Sequence, residues 1–484
     1  MEFFNLTMHQ IKEKLGKKDV KATEILDDVL KRIDDVEDKI GAHITLTEDM
    51  AYKKAEEIDK KIENNQSIGI LGGIPMSIKD NICTEGILTT CASKMLQDFV
   101  PPYSAAVYEK LLTEDAVMLG KSNMDEFGMG SSTETSFYKK TKNPWNMSKV
   151  PGGSSGGSAA AVSAGECFFA LGSDTGGSVR QPSAFCGVVG LKPTYGLVSR
   201  YGLIAVANSL DQIGPITKDV KDCALVLNII AGHDPKDATS DKRKRIDYLQ
   251  GLDDGIDGLK IGIAEQYFDE ELSEPVENAL LEAIGVFKDL GATCKMVSLP
   301  HTKYAMAVYY IISQSEISTN LSRFDGVKYG HRTSDYKNID ELISNTRGEG
   351  FGDEVKRRII MGTYWLNGDN YKKYYEKANE IRKFIKQDFN NIFSECDVLL
   401  APVTATTAFD LGLGCNIPSE KYKVDRYTVP ANLAGIPAIS IPCGFHDGLP
   451  IGMQLMGRKF DEGTLLKTAK AFEGSTDFNS RPKL

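Results

Sequence analysis

Three short segments carry residue types suited to acyl-transfer chemistry: Gly73-Ile-Pro-Met-Ser-Ile-Lys79-Asp-Asn81, Pro151-Gly-Gly-Ser154-Ser-Gly-Gly-Ser158 and Gly172-Ser-Asp-Thr-Gly-Gly-Ser178-Val-Arg180. In the third, Ser178 directly follows Thr175, Gly176 and Gly177. Glycine permits backbone conformations in which consecutive N–H groups point into one concavity. A concavity of that kind beside a hydroxyl suits an oxyanion hole, which stabilises a tetrahedral intermediate. The same residues also make an ordinary glycine-rich turn leaving a strand, and the segment alone is compatible with both.

A nucleophilic serine needs a base. The six histidines (His9, His43, His233, His301, His331 and His446) all lie outside the three segments, so a Ser-His-Asp arrangement has no local support. Lys79 is the substitute, because it ends an apolar strand-like run and can be buried there. Bringing a lysine from its usual pKa of about 10.4 to about 7 costs roughly 4.6 kcal/mol, within the range that burial supplies. The competing assignment for Lys79 is a structural ion pair with a carboxylate such as Asp80. The serines of the second segment could relay a proton between Lys79 and Ser178. That segment is glycine-rich like a phosphate loop but lacks the Gly-Lys-Ser/Thr ending, and no dinucleotide fingerprint follows.

Other motifs carry less. Ser136-Phe-Tyr-Lys139 and Ser334-Asp-Tyr-Lys337 both fit SxxK, but neither has a convincing SDN or KTG companion. No HExxH or zinc-like His/Cys spacing occurs, so no metal site is expected.

The elements that must hold these residues follow from periodicity. Ile25, Leu26, Val29, Leu30 and Ile33 recur at helical spacing, and a charged helix is predicted over Glu48–Ile62 after a capping Thr47. Residues 1–65 therefore read as a helical arm, with a catalytic core over 66–484. From Gly73 onward, apolar runs (Ile74–Ile78, Ala116–Leu119, Phe168–Leu171, Val188–Leu191, Val398–Ala401, Ala438–Pro442) alternate with turns and helical patterns such as Val276–Leu290 and Tyr371–Phe393. That alternation predicts an α/β protein, a mixed sheet covered by helices. Residues 236–257 are polar and read as a surface excursion.

The 484 residues would by length alone make about three domains. Sixty-seven acidic against 57 basic residues leave a net charge of -10, which argues against direct binding of nucleic acid through a basic face. Met1–Gln10 has no signal-peptide pattern and no run of about eighteen apolar residues exists, so a membrane span is not expected. The nine scattered cysteines, Cys415 among them, include no CxxC pair and suit a reduced, cytoplasmic protein that uses them as small apolar fillers.

Taken together and in this order, the three segments resemble the amidase signature family, as does the spacing between Ser154 and Ser178. Ser122-Asn-Met-Asp-Glu126, Thr141-Lys-Asn-Pro-Trp145 and Gly190-Leu-Lys-Pro-Thr-Tyr-Gly196 look like further family blocks. Arg200-Tyr-Gly-Leu-Ile204, Ser209-Leu-Asp-Gln-Ile-Gly-Pro215, Ser322-Arg-Phe-Asp-Gly326 and Asn432-Leu-Ala-Gly435 are similar to the A subunits of tRNA-dependent amidotransferases. The chain departs at Ser136-Phe-Tyr-Lys139, where a small-residue turn is usual, and at Ala207-Asn208.

The resemblance implies one large α/β domain of the amidase-signature fold, a mixed central β-sheet between α-helices. It implies Ser178 as nucleophile, Lys79 as base and Ser154 as a bridging serine after a cis Gly153–Ser154 peptide, with the oxyanion held around Thr175, Gly176 and Gly177. It places Arg358 at the carboxylate of L-glutamine, Asp425 at its ammonium and Tyr309 nearby. The implied activity is ammonia release from glutamine. The ammonia would be passed to a B subunit that uses ATP and Mg²⁺ to amidate Glu-tRNA(Gln) or Asp-tRNA(Asn). A small C subunit would bridge the two, tRNA would be held mainly by the B subunit, and this chain itself would need no cofactor. A stand-alone amidase acting on another small amide is the alternative.

Overall fold

Strand-forming runs that are apolar at every position, rather than at alternate ones, belong in a sheet covered on both faces. That is where they lie in the computed structural model, which describes residues 2–413, 424–478 and 480–484. Strands β2 (Pro75–Lys79), β3 (Val117–Ser122) and β4 (Phe169–Asp174) are buried at every residue. Around them run β1 (His43–Leu46), β5 (Val189–Lys192), β6 (Gln212–Thr217), β7 (Lys260–Ala264), β8 (Thr293–Val297), β9 (Val398–Pro402), β10 (Ala438–His446) and β11 (Leu449–Gly457). They form one mixed sheet in the order β1-β3-β2-β4-β6-β5-β10-β11-β9-β7-β8. The central pairs β2–β3 and β2–β4 are parallel, and β4–β6, β5–β6, β5–β10 and β10–β11 are antiparallel.

Helices cover the sheet. In chain order they are α1 (Met8–Gly16), α2 (Ala22–Ile40), α3 (Glu48–Glu63), α4 (Ala106–Thr113), α5 (Gly156–Ala164), α6 (Arg180–Cys186) and α7 (Val220–Ile230). They continue with α8 (Glu274–Asp289), α9 (Ala305–Asn320), α10 (Ile339–Gly350), α11 (Asp353–Leu366), α12 (Lys377–Ile392), α13 (Val429–Ala434) and α14 (Glu462–Glu473). One turn of π-helix, Tyr371–Glu376, leads directly into α12. α2 buries the predicted stripe of Ile25, Leu26, Val29, Leu30 and Ile33 and stops at Gly41 in the left-handed region. The helix predicted over Glu48–Ile62 is α3, but the Thr47 hydroxyl donates to Met118 O instead of capping it.

Residues 1–65 also supply β1, which pairs antiparallel with β3, so their side chains join the main hydrophobic core. The polar stretch 236–257 contains neither helix nor strand. The β10–β11 hairpin turns through Asp447 and Gly448, both with positive φ, a two-residue turn suited to an Asp-Gly pair. Eight of the cysteines are free thiols, seven of them buried, and Cys415 lies outside the described residues. A second, smaller apolar cluster sits apart from the main core, with Met95, Phe127, Leu321, Phe324, Phe351 and Val355 among its members.

Candidate active site

Parallel pairing of β2 with β4 brings the ends of both strands to one edge of the sheet. Lys79 ends β2 and is fully buried. Its Nζ donates to Ser154 Oγ at 2.7 Å, Ser155 Oγ at 2.8 Å and Ser173 O at 3.2 Å. Among the described residues no carboxylate lies within ion-pair distance of this amine, which sets aside the pairing with Asp80. Asp80 instead accepts from Thr90 N at 2.9 Å and lies 3.7 Å from Lys121 Nζ. Burial pushes the Lys79 ammonium down to about 7, against the weaker opposing pull of Asp125, Asp174 and Asp211.

The Gly153–Ser154 peptide is cis. Around it, Gly153 N donates to Gln181 Oε1 at 2.8 Å and Asp125 N donates to Ser154 O at 3.2 Å. The Asp125 carboxylate in turn accepts from Thr133 N at 2.9 Å, Ser132 N at 3.2 Å and Thr135 Oγ1 at 2.9 Å. Ser155 has two tasks: its hydroxyl shares Lys79, and its N–H donates to Ser178 O at 3.1 Å. The two serine segments are therefore bonded to each other through their backbones.

After β4 the chain turns sharply into α6. Asp174 organises this turn, accepting from Gly177 N at 2.8 Å, Val179 N at 3.2 Å and Arg180 Nε at 3.0 Å. Burial opposes its ionisation, but Arg180 holds the carboxyl down at about 2. The Gly177 N–H thus has a structural partner. The N–H groups of Thr175, Gly176 and Ser178 have none among the described residues. Gly177 has φ 140°, and a Cβ there would lie 2.3 Å from Thr428 Oγ1. A Cβ on Gly176 would lie 2.7 Å from the Tyr309 ring. Thr175 Oγ1 donates to buried Asp211 at 2.7 Å, and Ser178 itself is half-buried.

Tyr309, Arg358 and Asp425 come from other elements. Tyr309 projects from α9 against Gly176. Arg358 lies on the inner face of α11, where its Nε donates to Glu354 Oε1 at 2.8 Å. Asp425 precedes α13 and accepts from Ser131 Oγ at 3.1 Å. Loss of water pushes the Asp425 carboxyl up to about 7, although Ser131 and the charge of Arg358 pull the other way. The Arg358 charge also acts on the Tyr309 phenol, whose pKa burial raises. A carboxyl and a guanidinium thus stand within electrostatic reach of each other and of Tyr309, which packs against Gly176. Sequence reasoning does not single out Ser155, Asp125, Ser131, Thr428 or the Asp174–Arg180 pair. Asp174 and Arg180 flank the Thr175–Ser178 run, which is the signal that could have found them.

The family described as Amidase matches residues 24–466. The A subunit of the glutamyl-tRNA(Gln) amidotransferase of Thermoanaerobacter pseudethanolicus is 55% identical over 483 residues, covering 100% of this chain and 99% of that one. The crystal structure of the glutamyl-tRNA(Gln) amidotransferase A subunit from Thermotoga maritima is 41% identical with a TM-score of 0.81, over 100% of this chain and 98% of that one. A bacterial aryl acylamidase of the amidase signature family superposes with a TM-score of 0.85 at 25% identity, over 97% of this chain and 96% of that one. Shape is therefore shared by proteins named for different reactions, and sequence identity separates them. The chain belongs to the amidase family.

Proposed function

We propose that this chain is the ammonia-releasing component of a tRNA-dependent amidotransferase, its A subunit, acting on glutamine through Lys79, Ser154 and Ser178. The observation that carries the chemistry is the buried Lys79 amine, 2.7 Å from Ser154 Oγ and with no carboxylate within ion-pair distance among the described residues. A lysine held near neutrality is a base able to take a serine proton at physiological pH. End-to-end similarity to subunits named for glutamyl-tRNA(Gln) amidation supports the choice of substrate.

In the proposed reaction, the Ser178 Oγ–H proton passes through Ser154 to Lys79 while Ser178 Oγ attacks the side-chain amide carbon of glutamine. The developing oxyanion is met by open N–H groups of the Thr175–Ser178 turn, with Gly176 and Ser178 the donors nearest the nucleophile in sequence. Collapse of the intermediate breaks the C–N bond, and the relayed proton returns to the leaving nitrogen, which departs as ammonia. Water then cleaves the glutamyl ester, giving glutamate and restoring Ser178. Arg358 and Asp425 hold the substrate's carboxylate and ammonium, and Tyr309 packs along the turn.

The ammonia passes to a B subunit, which uses ATP and Mg²⁺ to activate the acyl group on Glu-tRNA(Gln) or Asp-tRNA(Asn), and a small C subunit bridges the two chains. The tRNA is held mainly by the B subunit, in keeping with the net charge of -10 on this chain. Among the described residues no helix is long and apolar enough to cross a membrane, and we place the assembly in the cytoplasm. The test is ammonia release from glutamine by the purified chain, alone and with B and C subunits, charged tRNA and ATP. Stimulation by the partners supports the reading. Partner-independent turnover of another amide, with glutamine ignored, replaces it with a stand-alone amidase.

A further inference from the structure

Glu126 is a buried carboxylate for which the proposed mechanism has no use. It is 4% exposed, and among the described residues no Lys, Arg or His lies within ion-pair distance of it. Burial pushes its carboxyl up to about 7, so the contacts it does make must offset a real desolvation penalty. Those contacts are specific. Its two oxygens accept from Gly352 N at 2.9 and 3.1 Å, and Ser93 Oγ donates to Oε1 at 2.5 Å.

Gly352 is the N-cap of α11 and has no side chain with which to cap the helix. Glu126 binds the N–H of this N-cap residue itself, the group that the third residue of a capping box holds in other helices, and its carboxylate faces the positive end of the helix dipole. The approach is so close that a Cβ on Gly352 would lie 2.3 Å from Glu126 Oε2. Six residues further along α11 is Arg358, whose Nε is held by Glu354 one turn back on the same helix. The axial position of α11 therefore sets the position of the guanidinium.

The other end of this connection is the serine relay. Asp125 N donates to Ser154 O at 3.2 Å. Phe127, with its ring centroid 5.6 Å from Phe351 and 5.0 Å from Phe324, seals the small apolar cluster beneath α9 and α11. One stretch, Asp125–Phe127, thus touches both the relay serine and the helix that carries the cation of the pocket.

We propose that Glu126 is a positioning residue that fixes Arg358, through the N-terminus of α11, at the distance from Ser178 that the α-carboxylate of the substrate requires. The inference rests on the reading of Arg358 as the carboxylate-binding group. Its failure and the failure of that reading separate in a double-mutant cycle on the assembled amidotransferase, read as kcat and KM for glutamine. Glu126→Ala should raise KM about tenfold or more with kcat within about threefold, since the chemistry at Ser178 is untouched while the carboxylate contact is misplaced. Glu126→Gln, which keeps an oxygen for Gly352 N, should recover most of that loss. Arg358→Met should raise KM further, and Glu126→Ala added to Arg358→Met should cost nothing more. Where Glu126→Ala lacks a cooperative melt, Glu126→Asp takes its place, because its shorter side chain withdraws the carboxylate from Gly352. An unchanged KM in that variant, a fall confined to kcat, or an effect that multiplies on top of Arg358→Met would overturn the proposal. An unchanged KM in Arg358→Met alone would instead remove the carboxylate-binding role of Arg358.

Discussion

The two walls of the site are built differently. Lys79 and Ser178 stand at or just after the ends of β2 and β4, neighbouring strands whose register is fixed by backbone pairing from Met76↔Phe169 to Ile78↔Leu171. Ser154 and Ser155 enter α5, which is buried at all nine residues. Tyr309, Arg358 and Asp425 instead come from α9, α11 and the residue four before α13, outside the sheet. They are placed by side-chain contacts: Arg358 on Glu354, Asp425 on Ser131, Tyr309 against Gly176. A ladder of backbone bonds does not depend on side-chain identity, whereas the second wall changes with every substitution along it. With the roles proposed above, reaction geometry sits on the part fixed by backbone pairing and substrate choice on the part that can vary, in keeping with a shape shared with an aryl acylamidase.

That contrast predicts effects of different size and kind. The largest belongs to the strand-end wall. Ser178→Ala should lower glutamine hydrolysis by at least about 10⁴-fold with little change in glutamine affinity, because it removes the attacking atom and no binding contact. Amidation supported by added ammonium salts should persist in the assembled complex. Loss of both activities would mean that Ser178 holds the structure rather than performing the reaction.

The pH dependence sharpens the same contrast. Lys79 must be neutral to accept a proton, and burial holds it at about 7, so kcat should rise with pH and level off above about 7. Asp425 must be anionic to hold the ammonium, and burial holds it at about 7 as well. Both groups titrate in the free enzyme, so kcat/KM should fall below pH 7 with a slope approaching two. Bound substrate keeps Asp425 ionised, so kcat should fall with a slope of one. A slope of one in both profiles would remove Asp425 from its role, which Asp425→Asn checks, and a kcat independent of pH would remove Lys79. An unchanged kcat/KM profile in that variant would point to Asp425 as the idle group.

How much of each wall can be read in the sequence follows from the same difference. The strand-end wall lies in three compact segments whose serines, glycines and lysine have few other joint uses, and Lys79 and Ser154 are in contact. The element pattern is legible where apolar runs are long: the runs at Ile74, Phe168, Val398 and Ala438 are β2, β4, β9 and β10. The runs do not reveal β11, although Asp447-Gly448 between apolar stretches is a strong hairpin signal, and they do not reveal β1, because four residues at an edge leave little periodicity. The second wall carries no local signal. Arg358 sits in an ordinary amphipathic helix and Tyr309 in a mostly apolar one, so only resemblance points to them. Ser155 and Asp125 join the serine segments partly through backbone N–H groups, which side-chain chemistry does not reveal.

On the second wall, effects should appear in KM. Asp425→Asn removes the charge that meets the ammonium but keeps the shape and the acceptor for Ser131. KM for glutamine should rise about 10- to 100-fold, the range for loss of one charged hydrogen-bond partner, with kcat reduced far less. A fall in kcat matching that of Ser178→Ala would erase the distinction between the walls.

The smallest effect tests whether the distinction extends to the helices before the sheet. Asp59 on α3 caps α2 from outside, its carboxylate accepting from Ala22 N at 2.6 Å, Thr23 N at 3.2 Å and Thr23 Oγ1 at 2.7 Å. Asp59→Ala should cost about 1 kcal/mol, the usual worth of a helix cap. In a chain of this length that is a fall of about 1–2 °C in the thermal midpoint, with kcat and KM for glutamine unchanged. The reason to expect silence is that the cap lies at the start of α2, beside the chain just before β2, whereas Lys79 is at the opposite end of β2, whose register is fixed by backbone pairing to β3 and β4. A shift in kcat with Asp59→Ala would show that the strand ends move with the helices packed on them, and that the first wall is less rigid than its ladder of hydrogen bonds implies.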